Sequence, residues 1–451
     1  MGDVDPDKTL CPFGRPMRDE HFLFAPTYTP LNHGSFGTYP RSVQKRFHEV
    51  QALSEARPDV FVRYQYPKML DENRAAMAKF LGVPVEEVVF LPNATTAINV
   101  VLRNLKYKKG DVILHFSTIY GSVEKTIRHL IETTEMGSII LAIGYPIDDQ
   151  ALVSQFETAI KGAKLEGKNV RAAVFDTVSS MPGVMVPWTR LVEVCKKEGV
   201  LSMVDGAHGA GQIELGLANV QPDFFASNCH KWLYVPRGCA VFYVSRRNQH
   251  LIRTSLPTSH GFEPLPREGA RAIVNPLMTA GRHRTKFETL FEFVATADVS
   301  PYLCIEEALR FRSQICGGEE KIISYCEMIS NEAGRRMAET FETDVMQNSE
   351  TTLTRCAMTN VRLPLNIGNG PCEIPEKDAV PVAIWMTEIL AREHDVYLPT
   401  FVHACAFWIR LSGQIYLEID DFVRGAEIVK SLCMRAKKGE YLQGGKSNES
   451  E

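Results

Sequence analysis

The chain has 451 residues, of which 45% are hydrophobic and 23% are charged, and its formal net charge is −4. This length predicts two domains, and the mild acidity without a basic run argues against a nucleic-acid partner. No apolar run reaches the roughly 18 residues of a membrane span, and the start, MGDVDPDKTLCPFGRPMRDE, lacks the apolar core of a signal peptide. We therefore expect no membrane partner.

The eleven cysteines form no CxxC pair. This spacing disfavours a zinc site or a disulfide framework, so no metal is expected. Scattered free thiols favour a reduced compartment, and we expect a cytoplasmic protein.

Short β-rich runs alternate with longer amphipathic runs from about residue 82 onward. The strand candidates are EVVFLP, DVILHF, GSIILAI, RAAVFDTV, LSMVDG, DFFAS and CAVFYV. Helix candidates such as ATTAINVVLRNL and WTRLVEVCKKEG lie between most of them. This alternation is typical of βαβ units and predicts an α/β fold, with a mostly parallel seven-stranded sheet flanked by helices.

The pattern changes after about residue 297. A long helical run over roughly 301–341 precedes the strand-like RCAMTNVRLPL, a loop rich in Pro and Gly, and the strand-like FWIRLSGQIYL. We predict a large domain over 31–300 and a smaller C-terminal α+β domain over 301–440. Residues 1–30 are expected to be an irregular segment and residues 441–451 a mobile tail.

Polar residues stand at the ends of several strand candidates, where open parallel sheets bind their ligands. LPNATTAIN places Asn93, Ala94, Thr95 and Thr96 where a strand turns into a helix. The free amides and hydroxyls of such a turn can bind an anion, although Asn or Thr there more often only caps the helix. In FSTIYGS, Tyr120 follows the next strand and could equally be an ordinary half-buried aromatic.

Two later motifs carry stronger chemistry. VDGAHGAG ends a strand at Asp205 and adds His208 among glycines, which permit a close approach of the backbone; the Asp could also simply cap a helix. SNCHKW places Ser227, His230 and Lys231 between two apolar runs. Because burial of an unpaired ammonium is costly, a lysine between two strands that are expected to be buried needs a chemical explanation.

Together these groups are the parts that a pyridoxal phosphate site requires. A desolvated lysine amine can condense with the aldehyde of the cofactor. A carboxylate keeps the ring nitrogen protonated, an aromatic side chain stacks on the ring, and a helix N-terminus receives the phosphate. Each part is weak evidence alone, but their order and spacing favour the combination.

These motifs resemble the class V aminotransferase-like group of fold-type I pyridoxal phosphate enzymes. The resemblance extends over about residues 30–300 and includes LNHGSFG, FEFVATAD and, further on, FWIRLS. It implies that Lys231 is the Schiff-base lysine, that Asp205 pairs with the pyridine nitrogen, and that His208 bonds the phenolic oxygen. Tyr120 would stack on the ring and could serve as an acid.

The resemblance also implies the remaining contacts of the cofactor and the substrate. The phosphate-binding candidates are Asn93, Ala94, Thr95, Thr96, Ser227 and His230. Thr296 would reach the phosphate of a neighbouring subunit, which implies a homodimer with shared active sites. Arg410 would bind the substrate α-carboxylate, with Asn32, His33 and His403 as further substrate contacts.

Longer blocks resemble one branch of this group most closely, the fungal C–S lyases that act on hercynylcysteine sulfoxide. They are LNHGSFGTYP, EARPDVFVRYQYPKMLDE, DTVSSMPGV and RNQHLIRTSLPTSHGF. The chain departs from that branch in IILAIG, which lacks an expected cysteine, and in VHACAFW, where a basic cluster is expected. The same blocks resemble isopenicillin N epimerase-like proteins and the class V-fold enzymes of fungal alkaloid pathways such as the loline pathway.

We therefore predict an enzyme that removes the Cα proton of an amino acid through a Lys231 aldimine, in the first place a C–S β-lyase on a cysteine conjugate or its sulfoxide. A cyclase that forms a C–C bond and an amino-acid epimerase share this first step and stay open. A cysteine desulfurase needs a mobile cysteine that attacks the substrate sulfur. Cys405 lies only five positions before Arg410, closer than the spacing of that nucleophile in the family, so a desulfurase is disfavoured. A non-catalytic scaffold would have no use for Lys231 and Arg410 together. A nucleotide-binding protein is disfavoured because GxGxxG and GxxxxGK[ST] are absent.

Overall fold

A seven-stranded sheet forms the centre of the structure, a computed structural model that describes residues 10–265, 268–269 and 284–442. Its strands are β1 (Val88–Leu91), β2 (Asp111–Phe116), β3 (Gly137–Leu141), β4 (Asn169–Asp176), β5 (Leu201–Asp205), β6 (Phe224–Asn228) and β7 (Ala240–Val244). They lie in the order β1-β7-β6-β5-β4-β2-β3, and of these seven strands only β7 is antiparallel to its neighbours. The predicted mostly parallel α/β sheet is confirmed.

Sixteen α-helices lie within the described ranges. They are α1 (Arg15–His21), α2 (His33–Phe36), α3 (Arg41–Ala56), α4 (Pro58–Val60), α5 (Tyr66–Leu81), α6 (Ala94–Asn104), α7 (Gly121–Thr133), α8 (Asp149–Leu165), α9 (Trp188–Glu198), α10 (Leu217–Val220), α11 (Cys229–Trp232), α12 (Lys286–Glu292), α13 (Ile305–Arg310), α14 (Glu319–Phe341), α15 (Glu376–His394) and α16 (Ile419–Lys437). Helices α6 to α9 connect successive strands of the sheet, as the alternating pattern predicts. None of these described helices is both long and apolar enough to cross a membrane.

Successive side chains of β1 and of the inner strands pack into different hydrophobic cores. In β1, Val88 and Phe90 belong to one core, whereas Val89 and Leu91 belong to the other, which also contains buried residues of α6, α7 and α12. Because side chains alternate across a strand, a sheet that is covered on both faces needs apolar residues at nearly every position. This explains why the strand candidates are continuous apolar runs rather than alternating ones.

A second, antiparallel sheet lies in the C-terminal part of the chain. It consists of β8 (Met358–Arg362), β9 (Thr400–His403) and β10 (Ala406–Ser412) in the order β8-β10-β9. Ala404 and Cys405 connect β9 to β10 with φ values of 48° and 57°, as a two-residue hairpin turn requires. Contacts of α14 with β8 and of α15 with β9 add helices to this sheet, so this part of the chain is α+β.

The segment before residue 31 differs from its predicted irregular structure, because it contains α1. Met17 of this helix is buried. The Gly14 amide donates to the Ile415 carbonyl over 2.8 Å, and Arg18 forms an ion pair with Asp421 on α16. Tertiary contacts with the C-terminal part therefore order this segment. The predicted mobile tail lies, from residue 443 onward, outside the described residues.

Helix α2 packs closely against α11. Gly37, directly after α2, has a φ of 63°, and a Cβ atom at this position would lie 1.8 Å from the carbonyl oxygen of His230. A side chain here would need both a rarely populated backbone conformation and a displacement of α11. Glycine therefore permits the N-terminal LNHGSFG motif to reach the SNCHKW motif.

Candidate active site

Lys231 lies on α11, the short helix that follows β6, and only 9% of its surface is exposed. Burial lowers the pKa of its amine to about 8, the positive charge of Arg410 adds to this effect, and the carboxylates of Asp205 and Asp176 oppose it. The Nζ atom lies 3.0 Å from Nε2 of His208. At neutral pH the neutral, nucleophilic amine is therefore far more populated than in an exposed lysine.

Two buried carboxylates stand side by side at the carboxyl ends of neighbouring parallel strands. Asp205 ends β5 and Asp176 ends β4, and the strand register pairs them directly. Burial raises the pKa of both carboxyl groups, and the charge of Asp205 raises that of Asp176 further. Asp205 also accepts a 3.0 Å hydrogen bond from the Ala207 amide, which stabilises its ionised form. The geometry thus favours an ionised Asp205 beside a protonated Asp176.

Sequence reasoning found Asp205 but missed Asp176. The signal was present, because RAAVFDTV ends its apolar run in an aspartate just as LSMVDG does. Only the sheet order, which places β4 next to β5, shows that the two carboxylates share one environment.

The N-terminus of α6 uses most of its predicted anion-binding groups for its own structure. Asn93 is the N-cap, and its Oδ1 accepts hydrogen bonds from the Thr96 amide (2.8 Å) and hydroxyl (2.9 Å). The Thr95 hydroxyl lies 3.1 Å from that of Ser122 on α7. Of the hydroxyl groups predicted here, that of Thr95 is therefore the better placed to bind a phosphate.

Asn228 is a second residue that sequence reasoning missed. It ends β6, and its Oδ1 accepts a 2.9 Å hydrogen bond from the Ala94 amide at the start of α6. Ser227, the residue predicted for the phosphate, points to the other face of the sheet and accepts a 3.0 Å hydrogen bond from the Ala210 amide. Because adjacent residues of a strand face opposite ways, Asn228 rather than Ser227 reaches α6.

Three other predicted cofactor contacts differ in their exposure. His230 is half-buried, its Nδ1 lies 3.1 Å from the Cys239 carbonyl oxygen, and burial lowers its pKa to about 4. Tyr120 immediately precedes α7 and is 50% exposed, which leaves space beside its ring. Thr296 is exposed in the segment after α12 and has none of the hydrogen bonds that connect the other site residues within the described ranges.

Arg410 lies on β10 and is almost fully buried. Its guanidinium donates hydrogen bonds to the Ser180 carbonyl (2.6 Å), to Oδ1 of Asn32 (2.7 Å) and to the Ser35 hydroxyl (3.0 Å). All three acceptors are neutral, Nε has no partner among the described residues, and burial lowers the pKa to about 10. A buried guanidinium with neutral partners is suited to receive a carboxylate from a ligand.

His33 does not present a free nitrogen to a substrate, contrary to the expected substrate contact. Its Nδ1 lies 2.8 Å from the Tyr416 hydroxyl, and its Nε2 lies 2.7 Å from the Lys231 carbonyl oxygen. Burial lowers the pKa of the imidazole to about 3, so the ring is neutral. His33 therefore holds the backbone of Lys231 rather than a ligand.

His403 connects the β9–β10 hairpin to the loop after β3. Its Nε2 accepts a 2.8 Å hydrogen bond from the Tyr145 amide, and the two rings lie 6.1 Å apart. The ring is only half-buried. Its role as a substrate contact stays a prediction.

Comparisons with known proteins show which family this chain resembles. The profile of the aminotransferase class-V family matches residues 56–272. The L-cysteine desulfhydrase-like protein lolT1 of Epichloe uncinata is 38% identical over 94% of this chain and 96% of its own length. The hercynylcysteine sulfoxide lyase of Schizosaccharomyces pombe is 30% identical over 93% and 98%, respectively. The likeness to lolT1 is thus greater than the likeness to the lyase.

Solved structures show the same fold. The cystine C–S lyase C-DES, in complex with its product cysteine persulfide, superposes with a TM-score of 0.72, covering 90% of this chain and 98% of that one. The two sequences are only 16% identical. This likeness confirms the predicted fold-type I architecture.

We expect Asp176→Asn and Asp205→Asn to differ strongly in their effect on pyridoxal phosphate, the cofactor that the sequence resemblance implies. The amide in Asp176→Asn mimics a protonated carboxyl and should leave cofactor affinity nearly unchanged. Asp205→Asn removes the negative charge that the sequence resemblance assigns to the ring nitrogen, and affinity should fall by about tenfold or more. Titration of the apo-protein with the cofactor measures both. Equal losses in two variants with equal thermal stability would contradict this assignment.

The lowered pKa of Lys231 makes cofactor capture dependent on pH. Only the neutral amine attacks an aldehyde, so the rate at which visible absorbance appears should rise with pH and level off above about 8. In Arg410→Met the amine loses a neighbouring positive charge, its pKa rises, and the midpoint should move to higher pH. A midpoint that is the same in both proteins would show that Arg410 does not act on Lys231.

Proposed function

The chain belongs to the aminotransferase class-V family, and from this membership we propose that it is a C–S β-lyase that acts on a cysteine conjugate or its sulfoxide. As a member of this family it is an enzyme that depends on pyridoxal phosphate. The observation that carries the proposal is the buried pair of Lys231 and Arg410, in which the guanidinium charge lowers the pKa of the amine. Because the charge of Arg410 acts on the amine, we infer that both groups contact one amino acid.

The residues of the site fit pyridoxal phosphate. Lys231 supplies the amine for the aldehyde, Asp205 the charge for the ring nitrogen, and His208 a contact for the phenolic oxygen. The phosphate end is assigned to Thr95 and His230, with Asn228 beside them at the start of α6, and Tyr120 is assigned to the ring face. When bound, the cofactor supplies an electron-withdrawing ring that stabilises negative charge at the substrate Cα.

The chain's own groups bind and orient the substrate. Arg410 receives the α-carboxylate in a bidentate pair, and Asn32 and the Ser180 carbonyl hold the guanidinium in place. Anchoring of the carboxylate directs the Cα–H bond toward Nζ of Lys231, which takes the proton. A base whose free pKa is about 8 is suited to this transfer near neutral pH.

Loss of the Cα proton allows the Cβ–S bond to break. The electron pair of the C–H bond forms the Cα–Cβ double bond, and the sulfur leaves with the C–S pair. We assign its protonation to the Tyr120 hydroxyl, because the sequence resemblance places this residue at the ring and its side chain is half exposed and accessible. The three-carbon remainder takes up one water and yields pyruvate and ammonia, while the sulfur leaves as a thiol, or as a sulfenic acid from a sulfoxide.

The names of similar proteins support sulfur elimination over the alternatives. The relatives include a desulfhydrase-like protein and a sulfoxide lyase, and the fold is that of a cystine C–S lyase. Ala404 and Cys405 form the hairpin turn beside His403, and both are neutral. A neutral turn favours a substrate that has no second negative charge near its carboxylate. A cyclase and an epimerase would share the proton transfer to Lys231. The experiment below distinguishes both from a lyase by their products.

We expect the holoenzyme to convert S-substituted cysteines or their sulfoxides to equal amounts of pyruvate and ammonia. Lys231→Ala should abolish both products and the visible absorbance, because it removes the amine. Arg410→Met should keep the cofactor but raise KM by about tenfold or more, since the carboxylate loses its ion pair. Coupled assays for pyruvate and ammonia measure these effects.

Lys125→Ala, at an exposed lysine on α7, is the matched control and should behave as the unmodified enzyme. Solvent deuterium at Cα of an amino acid without pyruvate or ammonia would contradict the lyase. A product with inverted configuration at Cα would then indicate an epimerase, and a cyclic product would indicate a cyclase. A protein that takes up no cofactor would contradict an enzyme altogether.

We also propose a homodimer with shared active sites. Several large hydrophobic side chains are exposed in the single chain, among them Phe36, Tyr64 and Met181. Thr296 is exposed as well and is free to reach a second copy. Light scattering should give twice the chain mass of 50.6 kDa. Active mixed dimers of Lys231→Ala and Thr296→Ala chains would support shared sites, whereas a fully active monomer would contradict them.

A further inference from the structure

We propose that Trp232 is a positioning residue that holds His208 in the tautomer with hydrogen on Nε2, so that this N–H faces the amine of Lys231. The inference rests on the proposed role of Lys231 but not on the identity of the substrate. It concerns the residue next to the lysine in the SNCHKW motif, whose indole the reaction described above does not use.

The hydrogen bonds of His208 determine its tautomer. The Trp232 indole nitrogen lies 3.2 Å from Nδ1, and Lys231 Nζ lies 3.0 Å from Nε2. An indole nitrogen can only donate, so Nδ1 has to accept and carries no hydrogen. In a neutral imidazole the hydrogen is then on Nε2. Burial, and then the charge of Lys231, lower the pKa of His208 well below its usual value, in agreement with a neutral ring.

The indole is held in place from both sides. His33 donates a hydrogen bond to the Lys231 carbonyl, and the His33 ring lies 5.0 Å from the ring of Trp232. Nη1 of the buried Arg312 donates a 2.7 Å hydrogen bond to the Trp232 carbonyl. The backbone before and after the indole is therefore fixed, and Trp232 is 1% exposed. The indole N–H has no freedom to turn away from His208.

The tautomer decides which form of the lysine is favoured. An Nε2–H group can donate to the lone pair of a neutral amine, but it opposes an ammonium, which offers only donors. Trp232 thus acts through His208 to favour the nucleophilic form of Lys231. When the cofactor is bound, the same N–H would be a donor for the phenolic oxygen, whereas the other tautomer would direct a lone pair at it.

NMR of protein labelled with ¹⁵N-histidine tests this directly, because the ring nitrogens report which of them carries hydrogen. In the unmodified protein, without and with pyridoxal phosphate, we expect His208 to be protonated at Nε2 and not at Nδ1. His208→Gln identifies the signals by their loss. This measurement needs no variant of Trp232, and hydrogen on Nδ1 would overturn the proposal.

Trp232→Phe keeps an aromatic ring and removes the donor. We expect the His208 signals to shift to the Nδ1–H form or to a mixture, and cofactor capture at pH 7 to become several-fold slower. Trp188→Phe, at an equally buried tryptophan on α9, controls for the lost volume and should change neither readout. Retention of the Nε2–H form in Trp232→Phe would refute the role of the indole. If the enzyme did not act on sulfur compounds, the proposed function would fail, but the NMR result for His208 would be unaffected.

Discussion

Burial of one amine is the constraint on which the rest of this site depends. A buried ammonium is costly, and the protein meets this cost in two ways. The negative charge of Asp205 at a neighbouring strand end attracts the ammonium, while burial and the charge of Arg410 favour the neutral amine. The outcome is an amine that changes its protonation near physiological pH, as nucleophilic and proton-transfer chemistry requires.

The site combines two basic and two acidic side chains, all of them buried. Lys231 and Arg410 are basic, Asp205 is ionised, and Asp176 is protonated beside it. Arg410 has only neutral acceptors among the described residues, which suits its proposed role of binding a substrate carboxylate.

The lysine is positioned by parts of the chain that are distant in sequence. His33 lies 198 positions before Lys231 and donates a hydrogen bond to its carbonyl. Arg312 donates hydrogen bonds to the carbonyls of Trp232 and Gly211. Gly37 permits the close approach of α2 that this requires. The site therefore forms only when the N-terminal segment and both sheets pack together, which couples cofactor chemistry to the integrity of the whole fold.

By itself the sequence determined the α/β sheet and the positions of Lys231 and Asp205, because hydrophobic alternation and residues at strand ends are local signals. Only the tertiary structure decided that Asp176 lies beside Asp205, that Asn228 rather than Ser227 faces α6, and that α1 is ordered. Strand order, side-chain face and long-range contacts depend on which segments meet in space. A linear pattern specifies where a strand ends, but not what stands next to it.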